Sequence, residues 1–72
     1  MENTEKIQET MLDNMKNSKM DVTLILNNGH QERGCIAGYD DFVVVLNTYG
    51  KKLMFYKHAI STIVAHYPEC YA

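Results

Sequence analysis

The chain is short of cysteine, proline and positive charge, and it has no long hydrophobic run. Two cysteines in 72 residues are a thin basis for a disulfide framework, and they fit a cytoplasmic protein better than a secreted one. Neither Cys35 nor Cys70 lies in a recognisable nucleophile motif, and a cysteine in a strand-like run is more often a small buried hydrophobe. His30, His66 and Cys70 match no zinc spacing. No enzyme, metal, cofactor or small-molecule substrate is therefore expected. No apolar stretch reaches the length of a membrane-spanning helix, so no membrane contact is expected. The polar, acidic start, Met1 to Lys6, is unlike a signal peptide. The single proline, Pro68, is expected to end regular structure, leaving 67–72 as a short tail after a domain over 1–66. Seven Lys and Arg against nine Asp and Glu give a formal net charge of −2. Any nucleic-acid site must then rest on local clusters rather than on a global field.

What is present reads as one small domain. At this size a chain buries only about 60% of the surface it exposes when unfolded, so it gains from association. Residues 5–17 read as a helix, because Ile7, Met11 and Met15 fall at i, i+4 and i+8, with Leu12 widening the stripe. Thr4 or Asn3 is the N-cap candidate. From Met20 the period changes to two, with Met20, Val22, Leu24 and Leu26 on one face. Asn27-Asn28-Gly29 then supplies a hairpin turn. A second strand over about 30–39 contains Gly34 and Gly38, which mark a bulge or bend. After an Asp40-Asp41 turn, residues 42–46 are apolar on both faces and read as an interior strand. A turn over 47–50, a strand over 51–57, a tight link at His58-Ala59 and a last strand over about 60–65 complete the order. One helix followed by five short, bent strands predicts a mainly β, strongly curved small barrel.

The last two strands are joined by too little chain to pair with each other. Both are apolar, and each is expected to keep an open edge, which is a template for another chain. Head-to-tail pairing of such edges closes into a ring when the rotation permits. Between them stands the run Tyr56-Lys57-His58-Ala59-Ile60-Ser61-Thr62. It puts a ring, a fixed cation and a titratable donor on successive residues, a combination suited to a phosphate and a flat base. Tyr39 reads as a core or interface aromatic, and Lys51-Lys52 as a solvated turn.

That run, with Asn28-Gly29, Gly34, Ile36, Tyr39-Asp40 and Phe42-Val43 upstream, resembles the bacterial Hfq family over roughly residues 5–65. The resemblance implies a helix on a five-stranded Sm-like barrel and a homohexameric ring. It also implies a cytoplasmic RNA chaperone that pairs small regulatory RNA with mRNA. By the resemblance, Gln8, Phe42, Tyr56, Lys57 and His58 form a uridine pocket around the pore, with Asp41 at its mouth. Leu26, Asn28, Gly29, His30 and Thr62 fall on a purine-binding face on the other side, together with Ile25 and Arg33. Lys16, Asn17 and Lys19 fall on the outer rim.

The departures from the family are also specific. Asp41 stands where Gln or Lys is usual, and Ile25 where an aromatic is common. Glu32 and Arg33 replace residues that are more often apolar and amide, and the rim lacks arginine. The expected function is thus an RNA-binding ring that holds single-stranded RNA. The alternative is an Sm-like structural oligomer that binds RNA weakly and acts through protein contacts.

Overall fold

A computed structural model describes the backbone over residues 4–69 and the side chains over 6–66. The N-cap expectation and Cys70 lie outside the described side chains. The elements are α1 (Thr4–Asn17), β1 (Met20–Leu26), β2 (Gln31–Tyr39), β3 (Val43–Thr48), β4 (Lys51–Tyr56), a 3-10 turn (Lys57–Ala59) and β5 (Ile60–Glu69). The five strands form one antiparallel sheet in the order β4-β3-β2-β1-β5. β3 is flanked on both sides, as its two-faced apolar pattern requires. β4 and β5 are the outer strands, as their short connection requires.

Alternation along the strands buries Val22, Leu24, Ile36, Val44 and Leu46 on one face of the sheet, and α1 covers that face with Leu12 and Met15. Burying two such side chains is worth about 1.5–3 kcal/mol each, which is what holds the helix down. The helix stripe differs from expectation here. Ile7 and Met11 are 63% and 52% exposed. At 100° per residue a stripe stepping by four drifts around the helix, so the buried seam is the i, i+3 pair Leu12 and Met15.

Curvature enters at irregularities in the ladder. The β2–β3 register shifts between Ile36 and Gly38, and the β1–β5 register shifts at both ends of β1. Gly34 has a different task. A Cβ there would stand 2.2 Å from the Asn47 carbonyl oxygen, so β2 and β3 pack this closely only with glycine. Gly29, at φ 90°, supplies the left-handed turn between β1 and β2, and its N–H donates to the Leu26 carbonyl at 2.8 Å.

Two further differences concern the end of the chain and a cysteine. β5 runs past Pro68 to Glu69, with Met20 opposite Glu69 and Asp21 opposite His66. Pro68 thus falls in a bulge on an outer strand, one of the few sheet positions that tolerate proline. Cys35, half-buried in β2, is disulfide-bonded rather than a free buried hydrophobe. Among the described residues no group of His, Cys, Asp and Glu is arranged to hold a metal ion. No helix among them is long and apolar enough to cross a membrane.

Candidate functional site

The turn before β3 sets the first group of side chains. The Asp40 carboxylate accepts from the Phe42 N–H at 2.8 Å and the Val43 N–H at 2.9 Å. Those two bonds, with help from the Lys57 charge, hold its pKa below the ordinary carboxylate range. The Asx turn projects Phe42 outward, 74% exposed. The Phe42 carbonyl in turn accepts from the Lys57 N–H at 2.8 Å, which joins this turn to the end of β4. Tyr56 and His58 stack there, with ring centroids 5.7 Å apart and planes within 12°. The Lys57 ammonium lies 5.8 Å from the centroid of the Tyr39 ring, near the outer limit of a cation–π contact. Gln8 reaches from α1 to line a cleft with Leu12, Val44, Lys57 and residues 60–63. Gln8, Phe42, Tyr56, Lys57 and His58 therefore gather around one end of the sheet. Asp41 is exposed beside them and makes no bond among those of the described residues.

The second group lies on the β1–β2 hairpin and the facing part of β5. Thr23 stands opposite Arg33, and Ile25 opposite Gln31 and Thr62. Alternation therefore puts Ile25, Arg33 and Thr62 on one face of the sheet. At the turn, the Asn28 side-chain oxygen accepts from the His30 N–H at 2.9 Å. The side chains of this group that could meet a phosphate are already engaged. His30 Nε2 is 2.7 Å from Glu32 Oε2, and Arg33 grips the Asp21 carboxylate through Nε and Nη2. Leu26 is half-buried at the end of β1, where it pairs with Ile60. The rim residues form the helix terminus. Lys16, Asn17 and Lys19 are exposed, and Lys19, at φ 52°, closes the helix with its N–H on the Lys16 carbonyl at 3.2 Å.

A profile of the Hfq protein family matches residues 7–69. The chain belongs to the Hfq family. Among similar proteins, the RNA-binding protein Hfq of Geobacillus kaustophilus is 47% identical over 62 residues, 86% of this chain and 83% of its own. The RNA-binding protein Hfq of Ruminiclostridium cellulolyticum is 44% identical over 63 residues, 88% and 79% of the two chains. A crystal structure of the pleiotropic translational regulator Hfq superposes with a TM-score of 0.81 at 44% identity, covering 92% of this chain and all of that one. The bent five-stranded sheet under one helix is the Hfq fold.

Three residues that support these groups were not singled out from the sequence as site residues. Asn27 donates from its amide to the His58 carbonyl at 2.7 Å, and its N–H donates to the Ala59 carbonyl at 2.9 Å. It thus ties the β1–β2 turn to the 57–59 link, and the two groups share a border. Asp40 shapes the Phe42 turn, and the Asx signal for that role was present in the sequence. Tyr39 lies under Lys57, and its hydroxyl donates to the Asp13 carboxylate at 3.0 Å. Burial against the helix, then that hydrogen bond, push its pKa up. No local sequence signal separates this role from an ordinary interface tyrosine.

Proposed function

We propose that this protein is an RNA chaperone, a ring that holds uridine-rich RNA in the Phe42–His58 pocket and purine-rich RNA on the Ile25–Thr62 surface. The observation that carries the reading is the convergence of Phe42, Tyr56, Lys57 and His58, three of them exposed rings, at the end of an outer strand. Phe42 offers a face to a base, and Gln8 and Lys57 are placed to meet its edge. The Lys57 charge meets a phosphate, and His58 meets the 3′ end. The ligand class comes from the relatives, which are named RNA-binding proteins.

The ring is a homohexamer in this reading. Met54 and Val64 are exposed apolar residues on β4 and β5, the two outer strands, and pairing one copy's β4 with its neighbour's β5 covers them. The mechanism is passive. A small regulatory RNA and an mRNA bound to one ring meet at raised effective concentration and pair faster, without bond chemistry. Regulation is then post-transcriptional and cytoplasmic. The Cys35 disulfide pulls against the location, since the cytosol keeps thiols reduced. Cell fractionation decides it: the protein is expected in the soluble fraction.

The second reading is an Sm-like structural oligomer that binds RNA weakly. The exposed Asp41 and the carboxylate-paired His30 and Arg33 favour it. Titrating labelled oligouridine and a purine-rich strand against the ring separates the two. Saturable binding of both, with neither displacing the other, is expected. An intact ring that binds neither strand leaves the structural oligomer.

A further inference from the structure

The β3–β4 hairpin carries side chains that neither surface described above uses. Its two-residue tip is Tyr49-Gly50, with φ 40° and 84°. Such turns favour Asn-Gly or Gly-Gly, and a bulky residue in the left-handed region is an outlier that calls for a reason. Packing does not supply one. Tyr49 is 87% exposed, more than any other large hydrophobic residue among those described. Lys51 and Lys52 follow, both exposed, and neither pairs with a carboxylate among the described residues.

The ladder brings a third cation to the same place. Cys35 stands opposite Asn47, and Asn47 opposite Lys52. Lys52 and Arg33 therefore share a face, and Arg33 lies two residues toward the tip, level with Tyr49. This is the face that carries Ile25 and Thr62, so the group continues that surface outward to the tip.

We propose that the β3–β4 hairpin tip is an additional site for single-stranded RNA. Tyr49 is its base-stacking platform and Lys52 its phosphate contact, with Arg33 joining by exchanging Asp21 for a phosphate. The proposal rests on the RNA-binding reading above and adds a subsite that lengthens the path of a bound purine strand. Charge complementarity selects the occupant. An unpaired lysine, Lys52, on the same face as an exposed aromatic ring fits a polyanion with flat bases. Strand-tolerant binding is expected, since every base has a face to stack and nothing at the tip is arranged to read a base edge.

Two variants test it. Tyr49→Asn removes the ring and installs the turn sequence that this backbone prefers, so folding is preserved. It should bind a short purine strand as the wild type does, and bind one about three times as long at least about fivefold more weakly. Because the chain has no tryptophan, Tyr49→Trp introduces the sole indole, and its fluorescence should be quenched as the long strand saturates the ring. Unchanged fluorescence at saturation, with equal affinity of wild type and Tyr49→Asn for the long strand, overturns the tip site and leaves the RNA reading standing. Failure of the wild-type ring to bind either strand overturns both.

Discussion

At the end of β4, Lys57 and His58 are held by rings and backbone: Lys57 lies over Tyr39, and His58 stacks on Tyr56 with its carbonyl on Asn27. At the β1–β2 hairpin, His30 and Arg33 are held by the carboxylates of Glu32 and Asp21. Each group pairs a histidine with a fixed cation, lysine in the first and arginine in the second, and their availability differs. A cation positioned by an aromatic face keeps its charge for a ligand. One positioned by a carboxylate must exchange partners before it can neutralise a phosphate. In the proposed function the first surface is therefore ready to bind as folded, and the second would bind against an internal competitor.

The most severe way to break the comparison is to remove both surfaces at once. Val64→Asp puts a charge on the outer strand β5, where Val64 is 36% exposed. Light scattering should show the ring reduced to monomers, and binding of both RNA classes should be lost. A ring that survives this charge would mean that β5 is not an assembly edge.

Separating the two surfaces comes next. Lys57→Ala should weaken oligouridine binding by about 1.5–3 kcal/mol, the range of hydrogen bonds to charged groups. It should also lower the salt slope by about 0.7 for each phosphate released. Purine-strand affinity should hold. An unchanged slope would take Lys57 out of phosphate contact.

A smaller effect is expected from Asp41, which places a like charge near incoming phosphates. Repulsion of unit charges about 6 Å apart is on the order of 1–3 kcal/mol before screening. Uracil also offers two carbonyl acceptors, which a carboxylate cannot satisfy. Oligouridine affinity should rise in Asp41→Gln and further in Asp41→Lys. Equal affinity in all three proteins would put Asp41 outside the pocket.

Glu32→Gln tests the internal competitor directly. Exposed ion pairs are worth about 0.2–1 kcal/mol, so releasing His30 should strengthen purine-strand binding within that range and leave oligouridine unchanged. A loss of purine affinity would reverse the role given to Glu32. The smallest effect concerns acid. Asp40 has a lowered folded pKa, so its stabilisation is complete above the ordinary carboxylate pKa and fades as pH falls through the lower folded value. In thermal melts below about pH 4, wild type should lose stability that Asp40→Ala has already lost, and the two curves should converge.

The hydrophobic periods and turn residues made most of this fold legible in the sequence. Gly29 marked the first hairpin, and the short link after Tyr56 forced β4 and β5 apart. Ile7 and Met11 misled because a stripe stepping by four was read without its drift. Pro68 misled because an outer bulge accepts what an inner strand refuses. At the site, Phe42, Tyr56, Lys57 and His58 were visible as residue types in a dense run. The pairing of His30 with Glu32 and of Arg33 with Asp21 was not, because the second of these joins two strands through a register that the local sequence does not encode. Asn27 was hidden for the same reason, being read as a turn residue while its bonds go to a link more than thirty positions away.

The contact between Gly34 and the Asn47 carbonyl has a consequence for genetics. Any side chain at position 34 must push β2 off β3, so a survey of substitutions scored by regulation in cells would rank Gly34 with the pocket residues. It touches no proposed ligand. Loss-of-function alleles at Gly34 should therefore be sorted by how much protein accumulates. An allele that lowers abundance reports on the barrel, whereas one in Phe42 or Lys57 should leave abundance intact and silence the protein.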